Sequence, residues 1–292
     1  MVDLHSHSTA SDGCYSPSEL VSKAVASGLS VLALTDHDNC SGLLEAQEAA
    51  GRQGLTFVPG IEINIAWPTG EFHLLGLALK TLSPSLRDII AFLEDDRNRR
   101  NEAMAQKLRE NGVDIRVDEL RTAFDTKELG RPHFAAMLVQ KGYVKTRQQA
   151  FDKYFAKGRP CFVDKEGADL ATAVAAIQDS GGIPVQAHPL SMFVSWGKIP
   201  DKIAEVKAAG VMGLEAWHPG ARISEAERLE ELARSLGMIA TGGSDFHGEK
   251  VRSDRRLGFS SGGLKIKDSF FYEQLLPLVR KLRGNEDLSF AP

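Results

Sequence analysis

Residues 2–13 read Val2-Asp3-Leu4-His5-Ser6-His7-Ser8-Thr9-Ala10-Ser11-Asp12-Gly13, and the reading of this stretch decides the rest. A short apolar run delivers two histidines two positions apart, and a turn of small residues then delivers an aspartate. Residues i and i+2 of a strand share a face. His5 and His7 therefore project together, with Leu4 and Ser6 on the opposite side. Two imidazoles on one strand edge form a metal-ligand pair. An HxH alone is short enough to arise by chance, so its meaning depends on the remainder of the chain.

Downstream of Gly13 the sequence alternates between helix and strand. Ser16-Pro17-Ser18-Glu19 opens a helix with a serine cap and a proline in the first turn, Leu20, Val21, Ala24 and Val25 form its apolar stripe, and Gly28 ends it. Ser30–Thr35 is apolar on both faces, the pattern of a buried parallel strand, and terminates in Asp36-His37-Asp38. A second helix is predicted over 41–52 and a strand over Leu55–Glu62. From Ile63 to Leu79 the pattern predicts a hairpin turning at Pro68-Thr69-Gly70 and returning through Phe72-His73-Leu74-Leu75-Gly76. After residue 158 the alternation resumes. Strands are predicted at Ile183–Ala187, Gly213–Ala216 and Met238–Thr241, ending in His188-Pro189, Trp217-His218-Pro219 and Ser244-Asp245-Phe246-His247, with helices between them. Strand–helix repetition at this spacing argues for a mostly parallel α/β barrel or sheet of six or seven strands. In parallel barrels the chemistry sits at the C-terminal ends of the strands.

Between these halves, residues from Pro84 to about Ala156 read as helix without strand alternation. The segment from Arg97 to Lys165 carries 16 Lys/Arg against 9 Asp/Glu, a balance of +7, whereas the remainder balances at −11. This asymmetry invites a two-part reading: residues 1–80 and 158–292 as the barrel, and residues 81–157 as an all-helical insertion that contributes phosphate-binding residues.

The 292 residues suffice for one large α/β domain with an insertion, and 25% charged residues are ordinary for a soluble protein. No apolar run approaches the roughly 20 residues that span a bilayer. No secretion signal is visible, and three scattered cysteines (Cys14, Cys40, Cys161) make no disulfide framework, so reduced thiols and a cytoplasmic location are expected. Neither a P-loop nor a G-x-S-x-G pattern occurs. A net charge of −4, without a basic tail, argues against a dedicated nucleic-acid binder. No obligate protein partner is evident.

The polar residues at the predicted strand ends and on the hairpin are His5, His7, Asp12, Asp36, His37, Glu62, His73, His188, His218, Asp245 and His247. Seven of the eight histidines belong to this set, a sorting that scattered residues would not show. Imidazole and carboxylate ligands without thiolates suit divalent ions such as Mn²⁺, Zn²⁺ or Fe²⁺. The order DLHSHS, TDHD, a glutamate after VPGI, HLLG, AHP and GSDFH resembles the PHP (polymerase and histidinol phosphatase) family of metal-dependent phosphoesterases, over residues 2–247.

That resemblance implies a distorted (β/α)₇ TIM-like barrel. It also implies two or three divalent ions, manganese being the first choice and zinc or iron the alternatives. His5, His7, Glu62 and Asp245 would hold one ion, Glu62 would bridge to a second held by His73 and His188, and Asp12, His37 and His247 would surround a third position. Gly130-Arg131-Pro132-His133-Phe134 resembles the branch with a helical insertion that acts on nucleotides and short oligonucleotides. An arginine at a helix N-terminus suits phosphate. Arg131 and His133 are therefore expected to bind substrate, with Lys157, Arg159 and Lys165 as further phosphate contacts and His218 as a substrate or structural residue.

The expected activity is removal of the 3′-phosphate from nucleoside 3′,5′-bisphosphates such as adenosine 3′,5′-bisphosphate, by attack of a metal-bridging hydroxide. Glu62 would carry the bridge, and Asp12, His37 or His247 would protonate the leaving alkoxide. The rivals are a 5′–3′ exonuclease on short 5′-phosphorylated oligonucleotides, a histidinol-phosphate-type phosphatase, which leaves the basic insertion unexplained, and a non-catalytic binding module, against which the complete ligand set speaks.

Overall fold

The computed structural model describes residues 1–124, 129–284 and 288–291; the part of the expected helical stretch over 125–128 lies outside them. Seven strands among the described residues form one sheet in chain order: β1 (Val2–Asp3), β2 (Val31–Leu34), β3 (Thr56–Ile65), β4 (Phe72–Leu77), β5 (Ile183–Gln186), β6 (Gly213–Trp217) and β7 (Ile239–Gly242). The first three are parallel, β4 runs antiparallel to both β3 and β5, and β5, β6 and β7 are parallel again. Past β1 and β7 the chain keeps pairing. The Leu4 N–H donates to the Gly242 carbonyl at 3.2 Å and the His7 N–H to the Phe246 carbonyl at 2.9 Å, while Ser6 bridges Phe246 in parallel. First strand and last thereby meet, and the sheet curls into a nearly closed seven-stranded barrel.

The helices are α1 (Pro17–Ala26), α2 (Leu43–Gln53), α3 (Pro84–Glu110), α4 (Val117–Phe124), α5 (Arg131–Gln140), α6 (Arg147–Ala150, running on as a π turn over Phe151–Phe155), α7 (Leu170–Asp179), α8 (Ile199–Ala208), α9 (Ile223–Ser235) and α10 (Leu276–Arg283). None among the described residues is long and apolar enough to cross a membrane. Local chemistry accounts for their starts. At α1, Ser16 Oγ accepts from the Glu19 N–H and the Glu19 carboxylate accepts from the Ser16 N–H at 2.8 Å, a capping box with Pro17 in the first turn. The strand–helix pattern read from sequence ends at the last strand; α10 comes after it, burying Val279.

The chain packs as two units, one of residues 1–90 with 167–292 and one of residues 91–166. In the first, β2 is buried on both faces, as its uninterrupted apolar run requires. The second has its own core, in which Leu108, Ile115, Leu120, Phe134, Leu138 and Phe155 are almost wholly shielded. These limits differ from the 81 and 157 drawn from sequence, for physical reasons. The start of α3 belongs with α7, because Ser83 Oγ donates to the Ala176 carbonyl at 3.2 Å and the Ser83 N–H to Ser180 Oγ at 3.1 Å. Residues past 157 stay with the helices, since the Cys161 N–H donates to the Tyr154 carbonyl and Lys107 Nζ to the Phe162 carbonyl, both at 2.9 Å.

A second difference concerns β3. Read from sequence as a strand ending at Glu62 and a separate hairpin, it is one strand of ten residues, because Ile63 and Ile65 pair with Leu74 and Phe72. Glu62 therefore sits mid-strand, pointing inwards.

The barrel seam is fastened by Asp3, which is fully buried. Its carboxylate accepts from the Ser244 N–H at 2.9 Å, the Gly258 N–H at 2.7 Å and, more weakly, the His5 N–H at 3.3 Å. Truncation would leave buried donors without partners, each costing about 1–3 kcal/mol. Asp3→Ala is expected to lose roughly 3 kcal/mol in chemical denaturation; a change under about 0.5 kcal/mol would show that the seam does not depend on this carboxylate.

Candidate metal centre

Glu62 is the residue around which the site is built. Its Oε2 lies 3.1 Å from His5 Nε2, 3.2 Å from His7 Nε2 and 3.1 Å from His37 Nδ1. Its Oε1 lies 2.9 Å from His73 Nδ1 and 3.0 Å from His188 Nε2. One carboxylate thus presents one oxygen to each of two histidine sets, brought from β1, β2, β4 and β5. Asp245 joins the first set, its Oδ1 standing 3.6 Å from His5 Nε2 and 3.4 Å from His7 Nε2.

A further group forms beside them: His247 Nε2 is 3.2 Å from Asp12 Oδ1, and its ring stacks on His7 at a centroid distance of 4.0 Å. Potential ligand atoms of His5, His7, Glu62 and Asp245 lie within 4.8 Å of one another, as do those of His37, Glu62 and His73, and those of His7, Asp12, His37 and His247. This hard, mixed nitrogen and oxygen donor set fits divalent cations. Buried ring nitrogens, His7 Nδ1 and His73 Nε2, have no hydrogen-bond partner, which also fits a cation and not a closed polar network.

The chain positions these groups with buried contacts and strained backbone. His188 and Asp245 hold positive φ values of 23° and 52°, where side chains other than glycine are disfavoured. Asp36, among the polar strand-end residues but in none of the expected ligand sets, has a supporting place. Its carboxylate accepts from the Ser8 N–H (2.7 Å), Ser8 Oγ (2.7 Å) and Ser11 Oγ (2.6 Å), and so holds the turn that carries Asp12.

Electrostatics reflect the crowding. Burial alone would raise Glu62, but His37, His5 and His73 hold it well below the ordinary carboxylate range. Burial likewise opposes protonation of His7, yet Asp245 and Glu62 push it up to about 10. His5 is also raised, against burial, by Glu62 and Glu215. His37 goes the other way, carried down to about 3 by burial.

Sequence reasoning missed Glu215. Fully buried on β6, it accepts from His5 Nδ1 at 3.0 Å and from the His188 N–H at 2.8 Å. A His5 that donates through Nδ1 directs the Nε2 lone pair at the cluster, the arrangement by which an outer carboxylate fixes a ligand's tautomer. Gly243 leaves room for it: a Cβ there would lie 2.2 Å from the His5 Cβ and 2.6 Å from Glu215 Oε1. The available signal was a lone acid inside the buried run Gly213-Leu214-Glu215-Ala216-Trp217.

His218, read from sequence as a substrate or structural residue, accepts from the Gly220 N–H at Nδ1 (3.0 Å), so Nε2 carries the proton that points at Asp245 Oδ2, 3.3 Å away. Arg255 was also missed. Only 8% exposed at its side chain, it stands with Nε 3.8 Å from Asp245 Oδ2 and lines the same cleft of about 440 Å³ as His218, His73 and Asp12.

The five remaining expected substrate contacts belong to the helical unit, whereas the ligand cluster belongs to the barrel unit. Arg131 opens α5, donates from Nη2 to the Val163 carbonyl at 2.7 Å and lies over the Phe162 ring. His133 Nδ1 accepts from the Gly130 N–H at 3.1 Å. Lys157, Arg159 and Lys165 are exposed.

Comparison with known proteins agrees with this geometry. Residues 3–156 match the model of the PHP domain. The chain belongs to that family, and so to its metal-dependent phosphoesterases. It is 36% identical over 245 residues to a 5′-3′ exoribonuclease of Haemophilus influenzae, covering 84% of this chain and 89% of the relative. It is 34% identical over 247 residues to a 3′,5′-nucleoside bisphosphate phosphatase of Chromobacterium violaceum, covering 84% and 87%. A solved structure from Chromobacterium violaceum, described as an amidohydrolase with bound sulfate and no metal, superposes with a TM-score of 0.83 at 31% identity over 96% of both chains.

Two outcomes test the centre. Glu215→Gln is expected to weaken divalent-metal binding on the order of 10–100-fold while the fold is kept, as judged by circular dichroism; unchanged affinity would remove its orienting role. Because His5 and His7 are raised, they hold protons at neutral pH that a cation must displace. Metal uptake should therefore release protons and strengthen as pH rises. Calorimetric titration in buffers of different ionisation enthalpy checks this, and identical heats would contradict it.

Proposed function

We propose that the protein removes the 3′-phosphate from nucleoside 3′,5′-bisphosphates, adenosine 3′,5′-bisphosphate among them. The observation that carries the phosphohydrolase chemistry is the placement of the two Glu62 oxygens on separate histidine sets, which suits a pair of cations close enough to act on one phosphate. The substrate is supported by the similarity to the Chromobacterium violaceum bisphosphate phosphatase. A second reading, 5′–3′ hydrolysis of short 5′-phosphorylated oligonucleotides, is supported by the Haemophilus influenzae exoribonuclease. Three free cysteines fit the proposed cytoplasmic setting.

His5, His7, Glu62 and Asp245 would hold one ion, Glu62, His73 and His188 a second, and Asp12, His37 and His247 a third, with manganese the first choice for a donor set without thiolate. Bound there, divalent cations supply Lewis acidity that lowers the pKa of water and offsets phosphoryl charge. The side chains supply the rest. His247 donates from Nδ1 to the Asp245 carbonyl at 2.9 Å, which turns Nε2 towards Asp12 and the cleft. Asp12, His37 or His247 is the proposed proton donor to the departing sugar oxygen when no third ion is held by them. Arg255, shielded on the cleft wall, places fixed positive charge where phosphoryl oxygens would gather. Arg131 and His133, with Lys157, Arg159 and Lys165, are proposed to grip the phosphate that is not cleaved.

Phosphate release from adenosine 3′,5′-bisphosphate, its two monophosphates, histidinol phosphate and a short 5′-phosphorylated oligonucleotide, with manganese supplied, ranks these readings. The bisphosphate should be the best substrate, and Arg131→Ala should lower kcat/KM for it by at least about tenfold relative to the monophosphates. Equal activity on mono- and bisphosphates, unaltered by that substitution, would contradict the proposal.

A further inference from the structure

The loop after His188 holds an apolar side chain where solvent would normally exclude one. Phe193 is 80% exposed, the most exposed of the large hydrophobic residues described, and it lines the same cleft as His188, His218 and Arg255. Its φ of 52° is left-handed, a conformation that a phenylalanine adopts only when its surroundings impose it.

The surroundings do impose it. Pro189–Met192 forms a single 3₁₀ turn, and the β3–β4 hairpin clamps it from the side. The Glu71 N–H donates to the Ser191 carbonyl at 2.8 Å, Thr69 Oγ1 donates to the Met192 carbonyl at 3.0 Å, and Ser191 Oγ donates to the Glu71 carbonyl at 2.9 Å. Gly70 at the hairpin tip makes space: a Cβ there would lie 2.2 Å from the Ser191 oxygen and 2.7 Å from Phe193 Cδ2. The backbone that carries this apolar ring is thus pinned at the rim of the cleft, at the expense of strain. A packing role does not account for that, because most of the ring touches nothing.

We infer that Phe193 is the platform on which the nucleobase of the substrate stacks, making it the residue that separates nucleotides from other phosphate esters. This rests on the proposed nucleotide phosphatase reading and adds the subsite that reading lacks, since the cations and Arg255 recognise phosphate alone. Stacking on a phenyl ring is tolerant of base identity, because every base offers a π face. The inference therefore entails a strong preference for nucleotides over abasic sugar phosphates and a weak one among bases.

The test uses the full-length, manganese-loaded protein with two substrates, adenosine 3′,5′-bisphosphate and ribose 3,5-bisphosphate, which lacks the base. Wild type should favour the nucleotide. Phe193→Ala should reduce that preference about tenfold, about 1.4 kcal/mol, through KM and not kcat, and Phe193→Trp should restore it. Exchange of adenine for guanine or cytosine should matter little. A wild type that hydrolyses both substrates equally well overturns the inference while leaving the phosphatase reading intact, as does a Phe193→Ala variant with an unaltered preference. A wild type inert on both overturns the reading and the inference with it.

Discussion

The constraint on which this structure depends is the burial of one carboxylate. Glu62 is fully enclosed, in the middle of a strand, in a position where an isolated charge would be prohibitively unfavourable. It is tolerated because five imidazole nitrogens converge on its two oxygens. Those imidazoles come from sequence positions 5 to 188, so the carboxylate can be satisfied only when the barrel has closed. Fold and site are therefore not separable: the seam bonds between the ends of β1 and β7 that complete the barrel also set His5, His7 and Asp245 beside Glu62.

Around that centre, rigidity is supplied in layers. Glu215 fixes the His5 ring and the His188 backbone at once, Asp36 ties down the turn leading to Asp12, and His218 steadies Asp245. The left-handed backbone at His188 and Asp245 shows that these contacts outweigh local conformational preference. Such contacts limit the reorganisation that cation binding would require.

Much of this was legible in the letters. The HxH on a strand edge, the clustering of histidines at strand ends and the gap of basic helical sequence rest on periodicity and chemistry that a single chain displays. The less legible residues share a feature, namely that their partners are remote. Asp36 stands among the polar strand-end residues in Asp36-His37-Asp38, and its supporting place shows only when Ser8 and Ser11 are seen to occupy it. Glu215 looks like an exception in an apolar strand until His5 arrives from 210 residues away. Phe193 looks like an ordinary core residue, because exposure is invisible in sequence. The end of β3 was misplaced because the pairing of Ile63 and Ile65 with the returning strand outweighs the punctuation suggested by Glu62.

The central claim is that Glu62 joins two cation positions within one site. The most direct measurement is anomalous diffraction from crystals of the manganese-loaded protein. Two peaks roughly 3.5–4 Å apart, one on each side of the Glu62 carboxylate, are the predicted result. A single peak, or peaks held by residues other than those around Glu62, would contradict the account.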